Sequence, residues 1–270
     1  MKRQNRSAAV MAQRSEPRDS LDDFPTPPWA TRALFRKVIW RNMDVFAPDK
    51  VTAEHSCWEP ACNRGYMARP LKEVFGDVHC SDVHDYSDEF PEQDRICDFL
   101  FPRMEPPHIA RGGIDWIITN PPFKLAEKFI QRAFALEPRW GVAMFVRLSF
   151  LEGKDRYRDL FSINPPTIVS PFAERVVLHK GVVRDPDKKF WGQNPKTGEW
   201  EWRRADTATA YCWLTWIMGQ EPRAPVWIPP CRSEMTRPDD YAASELTWGD
   251  AAVVAGLDTG ADRPPDINED

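Results

Sequence analysis

The segment WGVAMFVRLSF, residues 140–150, is apolar at nearly every position. An extended chain there has two apolar faces and no side to turn to water. It must therefore lie inside a sheet covered on both faces. GIDWIITNPPF, residues 113–123, has the same character and is stopped by two prolines. HSCWEPACNRG reads as a short buried strand breaking into a loop, and DVHCSD and RICDFL read as short strands, each with an acid near its end. Helical segments alternate with these. DDFPTPPWATRALFRKVIW is an extended proline segment followed by a helix carrying Ala33, Leu34, Val38 and Ile39, and Thr26 before Pro27 suits its entry. YMARPLKEVF is a helix that Pro70 would kink, and KLAEKFIQRAFALE puts Leu125, Phe129, Ala133 and Leu136 on one face. This alternation predicts an α/β fold: a mostly parallel sheet with right-handed crossovers and helices on both faces. Ligands of such sheets bind beyond the carboxyl ends of the strands.

The chain's 270 residues, 42% of them hydrophobic, suffice for one sizeable core. No run of about 18 apolar residues would span a membrane, and the basic N-terminal stretch lacks an apolar signal-peptide region. A cytoplasmic protein without a membrane partner is expected. Cys57, Cys62, Cys80, Cys97, Cys212 and Cys231 show neither a C-x-x-C pair nor a histidine at metal-ligand spacing. Reduced structural cysteines and no metal are expected. The net charge of −5 argues at first against a nucleic-acid partner. Residues 221–270, however, hold 11 acids against 4 arginines, so the remaining residues carry 30 acids against 32 bases. The expected organisation is a disordered basic segment at 1–20, a single domain at 21–220 with a basic and aromatic insertion at about 181–205, and an acidic, proline-rich tail at 221–270 that is partly disordered or draped on the surface.

Asn-Pro-Pro occurs twice, at Asn120 and at Asn164. Proline removes a backbone donor and pushes the preceding residue out of helical conformation, so either copy is at least a rigid, extended stop. Only the first follows a buried strand and precedes an aromatic residue, Phe123. A strand-end Asn-Pro-Pro-Phe resembles the catalytic motif of amino-methyltransferases that use S-adenosylmethionine. EPACNRGYM from Glu59 is similar to the cofactor loop of those enzymes, and DFPTPPWATRAL from Asp23 to the segment closing over the cofactor's methionine part. With SDVHDY and CDFL, the resemblance runs from about Phe24 to about Phe150. It is nearest in character to the phage and prophage DNA N6-adenine methyltransferases. Beyond that point it thins to TATAYCWLTWIMG, which suits a closing antiparallel strand.

The resemblance implies a Rossmann-like class I methyltransferase fold with a seven-stranded sheet. It also implies methylation of adenine N6 in DNA, with the base flipped out of the duplex. The side-chain oxygen of Asn120 and the backbone oxygen of Pro121 would accept the two N–H bonds of the target amine, Pro122 would hold them rigid, and Phe123 would stack on the base. A core ring capping the sheet is the other reading of Phe123. For the cofactor, Glu59 would meet the methionine amino group, Asp82 the ribose hydroxyls and Asp98 the adenine amine, with Phe99 against its ring. Ala61, Cys62, Asn63 and Gly65 would give close backbone approach; many relatives have glycine where Asn63 stands, and asparagine tolerates a left-handed backbone. Thr26 would meet the cofactor's carboxylate, and Trp29 would either cover its sulfonium or simply be buried.

Lys188, Lys189, Trp191, Arg203 and Arg204, with Lys124 beside the motif, combine cations and rings as nucleic-acid contacts do. A charged surface hairpin is the alternative for residues 188–204. Lys154, Arg156 and Arg158 read as a solvated helix face. RNA adenine or protein glutamine methylation, and a nucleic-acid-binding relative without turnover, remain open beside the DNA reading.

Overall fold

The apolar runs of the sequence form the centre of the sheet. In the computed structural model, which describes residues 22–106, 109, 113–194 and 197–241, nine strands are present among the described residues. They are β1 (Ser56–Glu59), β2 (Asp77–Asp82), β3 (Arg95–Ile96), β4 (Trp116–Thr119), β5 (Gly141–Arg147), β6 (Ile168–Pro171), β7 (Lys189–Gln193), β8 (Trp200–Arg204) and β9 (Tyr211–Ile217). Seven lie in one sheet in the order β3-β2-β1-β4-β5-β9-β6. The first five are mutually parallel, and β9 runs antiparallel to both β5 and β6. This is the mostly parallel, Rossmann-like seven-stranded sheet expected from the sequence, and β9 lies in the TATAYCWLTWIMG segment.

Alternate residues of the central strands enter two separate cores. Trp116, Ile118, Ala143, Phe145 and Trp213 pack on one face, with Ile117, Val142, Met144, Val146 and Leu214 on the other. The first face is covered by helix α1 (Pro28–Ala33), continued by a wider π-type helix over Leu34–Ile39, and by α3 (Ala68–Lys72), which follows α2 (Pro48–Ala53) along the chain. The second face is covered by α4 (Ala126–Ala135) through Phe129, Ile130 and Ala133. Pro70 bends nothing, because α3 starts only two residues earlier and the ring falls in its first turn. All six cysteines are buried and unpaired with one another. No helix among the described residues is long and apolar enough to cross a membrane, and no group of three or more potential ligands there is arranged to hold a metal.

The boundary expected at residue 220 falls inside packed structure. Arg223, Val226 and Ile228 donate backbone N–H groups to Thr167, Val169 and Pro171 at 2.7, 3.0 and 3.0 Å. They thereby cover the free edge of β6, which would otherwise present unpaired backbone groups. Ile228, Cys231 and Met235 then enter the core, and Asp240 is buried against Arg32. The remainder of the expected tail, 242–270, and the segment 1–20 lie outside the described residues. The insertion forms the hairpin β7–β8, separate from the main sheet.

Candidate active site

β1 continues through its crossover to β2 on one side of the sheet, while β4 flanks β1 on the other. The chain therefore leaves the carboxyl ends of β1 and β4 in opposite directions and opens a crevice between them. A cavity of about 930 Å3, counting its open mouth, occupies this crevice. Among the expected site residues it is lined by Thr26, Glu59, Ala61, Cys62, Asn63, Asp82, Asp98, Phe99, Asn120 and Pro122.

Asn120 comes one residue after β4. Its Nδ2 donates to the backbone oxygen of Phe24 at 2.9 Å. A carbonyl oxygen only accepts, so this bond sets which end of the amide is nitrogen. Oδ1 is then left buried without a partner. The same holds for Thr26 Oγ1 in the segment above the cavity and for Glu59 Oε2 at the end of β1. Three buried polar atoms, from three separate segments lining one cavity, are each without a hydrogen bond. Buried polar atoms are usually completed by protein, water or a ligand, and these three residues line one cavity that can admit either of the last two.

Glu59 is 2% exposed, and burial, aided by the nearby charge of Asp82, pushes its carboxyl well above the ordinary 4.5. Between 4.5 and the folded value, the folded protein holds a proton that the unfolded chain releases, so Glu59 makes stability fall as pH rises through that window. Glu59→Gln is expected to raise the melting temperature of the ligand-free protein near neutral pH. It is also expected to weaken binding of a ligand ammonium by about 1.5–3 kcal/mol, the value of a charge-assisted bond. Thermal melts with and without ligand, together with calorimetry, check both directions.

Asp82 is also raised by burial, but the backbone N–H groups of His84 and Asn63, at 3.0 and 2.9 Å, oppose this. Asn63 has φ 48°, the left-handed conformation that asparagine tolerates. Its amide donates to Asp23 at 2.7 Å and to Tyr86 Oη at 3.3 Å, while Arg64 pairs with both oxygens of Asp23 at 2.9 and 3.0 Å. The segment over the cavity is thus tied to the loop beneath it. Asp98 is exposed at the rim and accepts from Leu100 N–H at 2.9 Å, while Phe99 packs edge-on against Trp58.

Four of the expected catalytic and cofactor residues lie outside the cavity lining. Trp29 is buried in the core, edge-on to Phe172 at 5.5 Å, because its helix turns it toward the sheet rather than the cavity. Gly65 has φ 75°, but the close approach it allows is that of Phe90, whose ring would lie 2.4 Å from an added Cβ. Phe123 does not line the cavity. Its ring sits beside it, 5.6 Å from Phe24 and 6.2 Å from Tyr211, with the guanidinium of Arg147 at 3.9 Å. Pro121 is buried and is not in the lining either.

Lys124, Lys188, Lys189 and Arg204 are exposed, Arg203 lies 3.8 Å from Glu201, and the side chain of Trp191 is outside what is described. Asp22, Phe24, Tyr66 and Tyr86, none of them an expected site residue, also line the cavity. Tyr86 was legible only as part of SDVHDY, four residues beyond Asp82.

Solved structures similar to this chain include the modification subunit of a provisionally assigned type I restriction enzyme from Vibrio vulnificus YJ016, at 13% identity and a TM-score of 0.45 over 74% of this chain and 45% of that one. A dimethyladenosine transferase from Plasmodium falciparum matches at 11% identity and a TM-score of 0.41, over 72% and 62% of the two chains. A provisionally assigned RNA methyltransferase from Pyrococcus horikoshii matches at 14% and 0.42, over 77% and 96%. The chain spans less than two thirds of the first two proteins. Likeness at this level carries no argument about activity, and the fold assignment rests on the strand order itself. No protein-family model matches the sequence, and no curated protein does.

Proposed function

We propose that this chain is an S-adenosylmethionine-dependent methyltransferase acting on the N6 amine of adenine in DNA, of the phage and prophage kind, with the target base flipped into the site. The observation that carries the reading is the set of buried, unsatisfied polar atoms on Thr26, Glu59 and Asn120 in one cavity at the strand ends. Glu59 and Asp82 suit a ligand with an ammonium at one end and vicinal hydroxyls in the middle, and Thr26 can donate to its carboxylate. Asp98, at the rim, is available to an adenine amine. S-adenosylmethionine, when bound, supplies an electrophilic methyl group.

The chain's own residues do the rest. An exocyclic amine is a weak nucleophile because its lone pair is delocalised into the ring. Accepting both of its N–H bonds lets the nitrogen pyramidalise, and Asn120 Oδ1 is an acceptor held by the Nδ2 bond to Phe24 and already desolvated, so little reorganisation is needed. The resemblance gives the backbone oxygen of Pro121 as the second acceptor, although that residue lies outside the present cavity lining. The amine becomes acidic only once methylated, so no general base is required beforehand and the proton passes to solvent afterwards. Phe123 and the exposed cations of the β7–β8 hairpin and Lys124 serve the base and the phosphates.

Tritiated methyl transfer from S-adenosylmethionine to unmethylated DNA, RNA and protein tests the reading. Label in DNA, recovered as N6-methyladenine, is expected. Label in RNA or on glutamine would move the substrate, and cofactor binding with no transfer to any of the three would leave a non-catalytic relative.

A further inference from the structure

Arg147 ends β5 beside the Asn120 loop, with its guanidinium carbon 3.9 Å from the centroid of the Phe123 ring. At that distance it is stacked on the ring face. Among the described residues it has no ion pair, and its Nε is buried without a hydrogen-bond partner. Other arginines withdrawn from solvent are tied to carboxylates: Arg32 to Glu73 and Asp240, Arg64 to Asp23, and Arg132 to Glu105. Stacking accommodates a guanidinium's charge and flat face but leaves the buried Nε–H without an acceptor.

A nucleotide matches both halves of this arrangement: a flat base for the ring, and a phosphodiester for the donors. We propose, building on the function above, that Arg147 is a substrate-contact residue that covers the face of Phe123 in the free protein. When a target base stacks there, the side chain moves to the phosphate adjoining the flipped nucleotide. Pairing of Arg147 with Tyr211 in the sheet fixes the backbone at this point, so only the side chain has to move. No covalent step is involved, and the driving exchange is one cation stacked on a ring for one base on the ring and one cation on a phosphate.

The test uses the full chain as wild type, Arg147→Met, Arg147→Gln and Arg147→Lys. Binding of an unmethylated adenine-containing duplex is measured across a salt series with S-adenosylhomocysteine present, and single-turnover methylation is measured alongside. For the two neutral variants, the slope of log affinity against log salt is expected to become shallower by about 0.9, the effect of one lost phosphate contact on duplex DNA. Their transfer rate is expected to fall by about ten- to a hundredfold through misplacement of the base, with S-adenosylhomocysteine affinity unchanged. Arg147→Lys should keep the wild-type slope and have an intermediate rate, which a purely structural role would not produce. Wild-type slope and rate in both neutral variants would overturn the proposal. Duplex binding by the wild type without any methyl transfer would instead count against the function reading alone, since the salt slopes still report on the Arg147 contact.

Discussion

A chain ending at Gln220 is expected to lose its cooperative thermal transition and aggregate, whereas one ending at Tyr241 is expected to retain it. The shorter chain loses Ile228 and Met235, both at most 2% exposed, and core truncations of this kind each cost about 2–5 kcal/mol. It also strips the cover from the β6 edge and removes Asp240, which holds the buried Arg32 through bonds of 2.6 and 2.8 Å. Breaking a buried ion pair by removing one partner costs about 3–5 kcal/mol, somewhat less here because Glu73 still holds Arg32 at 2.9 Å. The sum is comparable to the whole stability of a domain, about 5–15 kcal/mol. The longer chain keeps every one of these contacts. Differential scanning calorimetry of the two chains decides the matter, and a sharp, wild-type-like transition in the chain ending at Gln220 would contradict this account. Asp240→Ala isolates one part of the effect, with an expected loss of about 1.5–3 kcal/mol.

What was legible in the sequence is what is local. Runs such as WIIT and GVAMFVR announce doubly covered strands because their two apolar faces leave no other placement. The acids at the ends of β1 and β2 and the asparagine after β4 announce a site because parallel strands bring their carboxyl ends to one edge. Contacts made at a distance were not legible. Helical periodicity marks Trp29 as buried but not whether it faces a cavity or the core. Gly65 advertises a close approach without naming Phe90 as the group that approaches. In the C-terminal region, Ile228, Cys231 and Met235 stand three and four residues apart, a spacing that suits one buried face, but the acids and prolines around them dominated the composition. Arg147 had one weak signal: a lone cation closing the apolar run GVAMFV at the edge of the sheet where ligands bind.

The two Asn-Pro-Pro copies provide an internal control for catalysis. Asn120 fixes its amide on Phe24 and leaves Oδ1 buried without a partner. Asn164 is exposed in the connection before β6, where its backbone N–H bonds Leu160 at 2.8 Å and its backbone oxygen accepts from Trp216 at 3.1 Å. Alanine at Asn164 keeps both backbone bonds, so it should cost about 0.5 kcal/mol or less in stability and little in rate. On the proposed function, alanine at Asn120 removes an acceptor for the target amine, with an expected loss of about a hundredfold or more in rate. S-adenosylhomocysteine affinity should change little in either variant. Single-turnover transfer of a tritiated methyl group to an adenine-containing duplex, by wild type, Asn120→Ala and Asn164→Ala, tests this most directly. The predicted result is near-complete loss at Asn120 with wild-type rate at Asn164; equal losses at both positions, or full activity in Asn120→Ala, would contradict it.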